Sequence, residues 1–329
     1  MRAWVVHELE ELSFETAWPE PVLDANDPHA VVVDVAAAAP NFADSLMVTG
    51  SYQERPALPF VPGLELAGKV VAANSDLVTT GQSVVGLAKA GDGAWAERAL
   101  CDGRQLTALP DDIAPAVAAA MHVNAQTAWF ALHRQGRLAP TDTVLVHAAA
   151  GGVGSMAVQL AVAAGARVLA TASAGKRDAV LRLGAAECFD NRDPGWPDLV
   201  REATGGRGVD LVIELVGGSV FAESWRLLRF EGRLVSVGFT SGDIPSVQAN
   251  HALVKNVSLV GVYWARYGLE AHELVDRAAD DIWQLYRAGR LDPFITVEAP
   301  MSEAPSRSRA IRRIMSAQRQ ILLNNSGDN

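Results

Sequence analysis

The stretch from Val144 to Lys176 constrains this chain more than any other. It reads VLVHAAAGGVGSMAVQLAVAAGARVLATASAGK. Val144 to His147 is a short apolar run of β-branched type, hence a strand. Ala148 to Gly154 is a turn. Ser155 to Ala164 is small and apolar, as a helix packed tightly on a sheet must be. Gly165 stops that helix, and Ala166 to Thr171 forms a second strand. A βαβ unit of this kind sets a dinucleotide pyrophosphate on a helix N-terminus. The N–H groups there have no intrahelical partner, and the helix dipole favours an anion. Gly151 and Gly152 let the backbone approach a ligand, with Val153 in the same turn. Gly154 lets the helix lie near the strand. A bare glycine pattern also fits an αβ turn with no ligand. The strand before it, the helix it opens and the strand after it weigh against that reading.

The end of the second strand selects the cofactor. A site for NAD wants an Asp or Glu there, to bind the ribose 2′-hydroxyl. Here the chain runs Thr171, Ala172, Ser173, Ala174, Gly175, Lys176, Arg177, with no acid, a hydroxyl and two cations. A carboxylate would repel a 2′-phosphate, whereas Ser173 and Lys176 would attract one. The expected cofactor is NADPH. The bland alternative makes Lys176 and Arg177 a solvated helix start.

Charge and cysteine usage narrow the partners. A net charge of -10 over 329 residues argues against nucleic acid and anionic membranes. Phosphate binding must therefore be local. Cys101 and Cys188 are the only cysteines, too few for a disulfide framework, which fits a reducing, cytoplasmic setting. The opening MRAWVVHELEELSF lacks the apolar core of a signal peptide. No apolar stretch of spanning length lacks glycine turns.

Two domains suit this length. Arg2 to His7, Ala30 to Ala37, Leu66 to Ala73 and Ser83 to Leu87 have strand composition, with Pro and Gly between them. They predict an irregular β-rich domain. From about Asp111 the pattern turns helical, with two helices expected on either side of His122 to Asn124. Strand and helix then alternate: Val209 to Val216, Arg233 to Phe239 and Val257 to Val262 are apolar strands. This alternation predicts an α/β doubly wound parallel sheet. A helix from about Glu270 to Ala288, a strand at Ile295 to Ala299 and a helix from about Glu303 close the chain. The domains are placed at 1–122 with 290–329, and at 123–289.

The glycine turn, GGRGVDLVIELVGG, EGRLVSVGF and VGVYW resemble the medium-chain dehydrogenase/reductase superfamily. Within it, the chain resembles the zinc-independent quinone oxidoreductases. The first domain carries APNFADSLMVTGSYQERPALPFVPGLELAGKV, similar to that family's N-terminal block in its Asn-Phe-x-Asp, Gly-x-Tyr and Pro-Phe-x-Pro-Gly-x-Glu elements. The resemblance reaches to about Leu291. It implies a Rossmann cofactor domain at 123–289 and a GroES-like first domain. It implies that Asn41 and Thr127 lie near the nicotinamide amide and ribose, that Tyr52 lines the substrate mouth, and that Trp264 walls the pocket. Turn, cap and core packing are the structural alternatives for these four. Val216, Phe239 and Thr240, at later strand ends, complete the implied cofactor contacts. Asn191 stands where relatives carry a Tyr on the 2′-phosphate; Asn can donate a hydrogen bond but cannot stack. Arg192 follows it as a compensating cation. Ala148 stands where relatives have Gly.

Zinc members of the superfamily hold their metal at positions that match Asn41, Leu64 and Val123. Leu and Val cannot ligate zinc, and Asn is a poor donor beside Cys or His. None of the seven histidines has ligand spacing. No functional metal is expected. Without a Lewis acid, the chemistry left is hydride delivery to an already electrophilic carbon, in a quinone or an α,β-unsaturated carbonyl. Two rivals stay open: an enoyl-thioester reductase of the same superfamily, and a non-catalytic NADPH-binding protein. A homodimer is expected through the apolar strand Val257 to Val262; a covered edge in a monomer is the alternative.

Overall fold

Short strands broken by Pro and Gly do build the first part of the chain. The computed structural model describes residues 1–303 and 319–323. The first elements are β1 (Ala3–Val5), β2 (Ser13–Glu15), β3 (Ala30–Ala39), α1 (Phe42–Val48), β4 (Glu65–Ala73), β5 (Ser83–Ala88) and β6 (Arg98–Ala108). The pairing β3–β4–β5–β6 closes on itself, because β3 also pairs antiparallel with β6. Val31, Val33, Val35, Leu66, Val70, Val84 and Leu106 alternate inward and pack with Trp95 into its core. The β6 strand is absent from the sequence expectation. Asp102-Gly103 interrupts its alternation, and a Cβ at Gly103 would fall 2.3 Å from Ser75 Oγ.

The next elements are α2 (Pro115–Trp129), β7 (Thr143–Val146), α3 (Gly152–Ala163), β8 (Arg167–Ala172), α4 (Arg177–Arg182), β9 (Glu187–Asp190), α5 (Trp196–Ala203), β10 (Val209–Glu214), α6 (Gly218–Leu227), β11 (Leu228–Ser236), α7 (Ala249–Lys255) and β12 (Ser258–Gly261). Their sheet has the order β12-β11-β10-β7-β8-β9, parallel throughout. This is the doubly wound arrangement, and its order reverses between β7 and β10. Ligands bind such sheets in the crevice beyond the strand ends at that reversal. Val144, Leu145, Leu169, Leu211, Val212 and Ile213 are buried at its centre.

Three expectations change. The expected break near His122 to Asn124 does not occur. Between Pro115 and Trp129 no further Pro or Gly interrupts the helix. It changes only at Phe130–Gln135, which winds as a π-helix. The chain divides into one unit of Met1–Val123, Ala265–Ala279 and the described residues from Pro293 on, and another of Asn124–Trp264 and Asp280–Asp292. The first unit thus takes α8 (Ala265–Glu270) and the start of α9 (His272–Arg287), inside the span expected for the second. The cause is visible on β6. Gln105 Nε2 donates to Ala265 O at 2.8 Å, and His272 Nδ1 lies 2.9 Å from Arg104 O. Finally, β13 (Ile295–Pro300) pairs with an unforeseen β14 (Arg319–Leu323), which pairs antiparallel with β3. The helix expected from Glu303 lies outside the described residues.

Candidate active site

In the second unit, β7 and β10 end on either side of the reversal. After β7 the chain turns through Ala148 at φ +47. Gly151 N donates to Ala148 O at 2.8 Å, and Gly151 caps α3 in an extended conformation. A Cβ at Gly154 would fall 2.3 Å from Ala148 O, so the approach this glycine allows is to the turn itself. A Cβ at Gly152 would fall 2.1 Å from Asn124 Oδ1. Asn124 and Thr127 lie three apart on α2 and share a face. The α2 face bearing Thr127 therefore lies against the turn that holds Gly151, Gly152 and Val153. Nothing in the sequence marks Asn124 for this contact.

After β8, Ser173 is extended and Lys176 leads into α4. Ala172 pairs with Asp190, and Asn191 N donates to Ala172 O at 3.2 Å. Ser173, Lys176, Asn191 and Arg192 thus gather at the ends of two adjacent strands. Arg177 Nε donates to Cys188 O at 3.2 Å, which ties it to β9. The nearby acid, Asp190, sits on β9 and not on β8; its Oδ1 accepts Arg192 N at 3.0 Å. Ala172, Arg177, Phe189, Asp190 and Leu199 help line a cleft of about 350 Å³ there.

After β10, Glu214 is fully buried. Its two oxygens accept Val216 N at 2.8 Å and Gly217 N at 2.9 Å. Burial pushes its pKa up, against those N–H bonds. Gly217 has φ +82, and a Cβ there would meet Asp243 O at 2.5 Å. The loop after β11 is stitched to this one: Thr240 N donates to Leu215 O and Ser241 N to Val216 O. Val216, Phe239 and Thr240 are thereby brought together. Trp264 is buried.

In the first unit, two carboxylates organise the site. Asp44 Oδ2 accepts Asn41 N at 2.5 Å and Oδ1 accepts Leu64 N at 2.8 Å. Glu65 Oε2 accepts Asn41 Nδ2 at 2.7 Å and Oε1 accepts Val123 N at 2.7 Å. Asn41, Leu64 and Val123 therefore converge around Asp44 and Glu65, although 82 positions separate the first from the last. Their side chains offer one carboxamide and two hydrocarbons. Among the described residues no cluster of three or more His, Cys, Asp or Glu could hold a metal. Burial raises the Asp44 pKa to about 7, opposed by the N–H groups of Asn41, Leu64 and Gly63. Tyr52 is half-buried against the core of this unit, its N–H donated to Leu46 O at 3.1 Å.

Two family models match: an alcohol dehydrogenase GroES-like domain over residues 27–111 and a zinc-binding dehydrogenase over residues 152–280. The chain is 38% identical over 288 residues to "Quinone oxidoreductase-like protein 2" of Bos taurus, covering 86% of this chain and 81% of the relative. The chain belongs to the zinc-independent quinone oxidoreductase family of medium-chain dehydrogenases/reductases. Solved quinone oxidoreductases agree in fold. That of Thermus thermophilus, studied also as its complex with NADPH, is 34% identical with a TM-score of 0.79, over 98% of this chain and all of that one. A mycobacterial protein complexed with NADPH is 28% identical with a TM-score of 0.86, again over 98% of this chain and all of that one. The zinc in the second model's description has no counterpart in the donor set at Asn41, Leu64 and Val123. The chain is an oxidoreductase of this family.

Proposed function

We propose that this oxidoreductase reduces quinones or α,β-unsaturated carbonyls with NADPH and without a metal. The observation that carries the reading is the first-unit site. The positions that would hold a metal converge there, yet carry Asn41, Leu64 and Val123. The second unit fits a dinucleotide. Gly151 caps α3 without a side chain of its own, and a Cβ at Gly175 or Gly238 would meet nothing within 4 Å. Ser173 and Lys176 favour a 2′-phosphate, with Asn191 and Arg192 beside them. When bound, the reduced nicotinamide supplies a hydride. The chain's own residues bind and orient. Asn41 Nδ2 is committed to Ala39 O and Glu65 Oε2, which fixes the orientation of this side chain for a role beside the nicotinamide. Within the second unit, Thr127, Val216, Phe239 and Thr240 are the further cofactor contacts of this reading; Tyr52 of the first unit and Trp264 of the second are its substrate-pocket candidates.

The test is oxidation of NADPH and of NADH against simple quinones, simple enones and enoyl thioesters. Turnover of the first two classes with NADPH is expected. Turnover confined to enoyl thioesters would replace the substrate assignment, and no turnover with any acceptor would end it. We also propose a homodimer joined at β12. This strand ends the sheet and pairs only with β11 among the described residues, while Leu259 and Tyr263 remain nearly half exposed. A cytoplasmic setting is part of the same reading, since Cys101 and Cys188 are buried free thiols.

A further inference from the structure

His147 directly precedes the glycine turn, and its ring is fully buried. Its backbone N donates to Ile213 O at 3.1 Å. Ser224 Oγ donates its one proton to Val220 O at 2.6 Å. His147 Nε2, 2.6 Å from Ser224 Oγ, must therefore be the donor of that bond. Nδ1 is then bare and accepts Thr171 Oγ1–H at 2.8 Å. The edge of the ring meets Trp196 at 5.3 Å and 77°. One chain of hydrogen bonds, of a single polarity, thus runs from Thr171 on β8 through His147 to Ser224 and Val220 on α6. Each end leads to a different part of the site. Thr171 lies two residues before Ser173. Val220 and Ser224 lie on the helix that Gly217 and Gly218 open. His147 itself abuts Ala148, whose φ of +47 L residues avoid and keep only where their surroundings over-determine it.

We propose that His147 is a positioning residue for the dinucleotide, holding the glycine turn, the 2′-phosphate end of β8 and the start of α6 in one register. For filling the core alone, an apolar side chain would serve without the cost of burying polar atoms. A fully satisfied polar chain instead fixes direction as well as volume. The inference rests on the reading of this unit as an NADPH site.

The test removes one hydroxyl at a time. Thr171→Val and Ser224→Ala keep the shape and break one bond each; Thr171→Ser keeps the hydroxyl. NADPH dissociation constants are read by nicotinamide fluorescence, with KM, kcat and thermal midpoints alongside. Thr171→Val should raise the Kd roughly five- to tenfold, a loss of about one neutral hydrogen bond's worth. The effect should fall on KM for NADPH more than on kcat, and Thr171→Ser should recover most of it. Ser224→Ala should act in the same direction, and it carries the test alone if Thr171→Val fails to fold. A lowered thermal midpoint with unchanged Kd in the variants would mean that the chain only packs the core, and would overturn the inference. So would a Thr171→Ser protein as weak as Thr171→Val. If the unmutated protein binds no NADPH in the same assay, the cofactor reading itself fails, and the inference falls with it.

Discussion

Asp44 ties two of the converging positions in the first unit together, and its titration tests that site directly. Its carboxyl is fully buried and raised by burial from 3.8 to about 7, against the N–H groups of Asn41, Leu64 and Gly63. A folded value above the unfolded one means that the folded state prefers the proton. The stability this contributes is complete below the unfolded value of 3.8 and is lost as pH rises through about 7. A carboxyl moved from 3.8 to about 7 contributes about 4 kcal/mol in all. More than half of that falls between about pH 5 and about pH 8. Asp44→Asn removes the titration. It also turns one acceptor into an NH₂ facing Asn41 N or Leu64 N, which costs roughly 1–3 kcal/mol at every pH. The variant should therefore be the weaker protein at pH about 5, and its deficit should shrink or reverse by about 2–3 kcal/mol at pH about 8. Urea unfolding of both proteins at both pH values, in matched salt, measures this. Only the difference of differences is read, so groups distant from Asp44 cancel. A deficit that stays constant or grows toward pH 8 would refute the reasoning. It would mean that the N–H bonds outweigh burial and keep the carboxyl ionised in its ordinary range.

Three further outcomes are expected. Lys176→Ala should weaken NADPH binding by roughly 1.5–3 kcal/mol and leave NADH nearly unchanged, because only the 2′-phosphate loses a charge-assisted bond; equal losses for both cofactors, measured by titration, would contradict the assignment. Chelation should leave turnover intact, since Asn41, Leu64 and Val123 supply no competent donor set; loss of activity that added zinc restores would count against it. Val260→Pro removes a backbone donor from β12 and should shift light scattering from dimer to monomer; a monomer for the unmutated protein at micromolar concentration would remove the dimer itself.

What the sequence made legible follows from how local each signal is. The turn unit was readable because strand, glycines, helix and strand lie in 33 consecutive residues with one pattern. The parallel sheet was readable because β7, β8 and β10 are apolar on both faces and take alternating helices between them. The β6 strand was not, because Asp102 and Gly103 break its period while its pairing with β3 and β5 supplies the order. The late strand β14 was not either, since its partner β3 lies nearly three hundred residues earlier.

The site divides in the same way. Ser173, Lys176 and the glycines sit within one local motif, so residue type alone suggested their work. Glu214 carried a signal that went unused: an acid inside VDLVIELVGG, in a strand otherwise apolar save for Asp210, has to find partners once buried. It finds them two and three residues ahead, at Val216 N and Gly217 N. His147 carried no such signal, because a histidine beside a glycine turn reads equally as core. Its partners at Thr171 and Ser224 are 24 and 77 residues away. Only the fold brings them to the ring. The directions of the donated protons, more than the residue types, turn that buried histidine from filler into a candidate for setting the shape of the cofactor site.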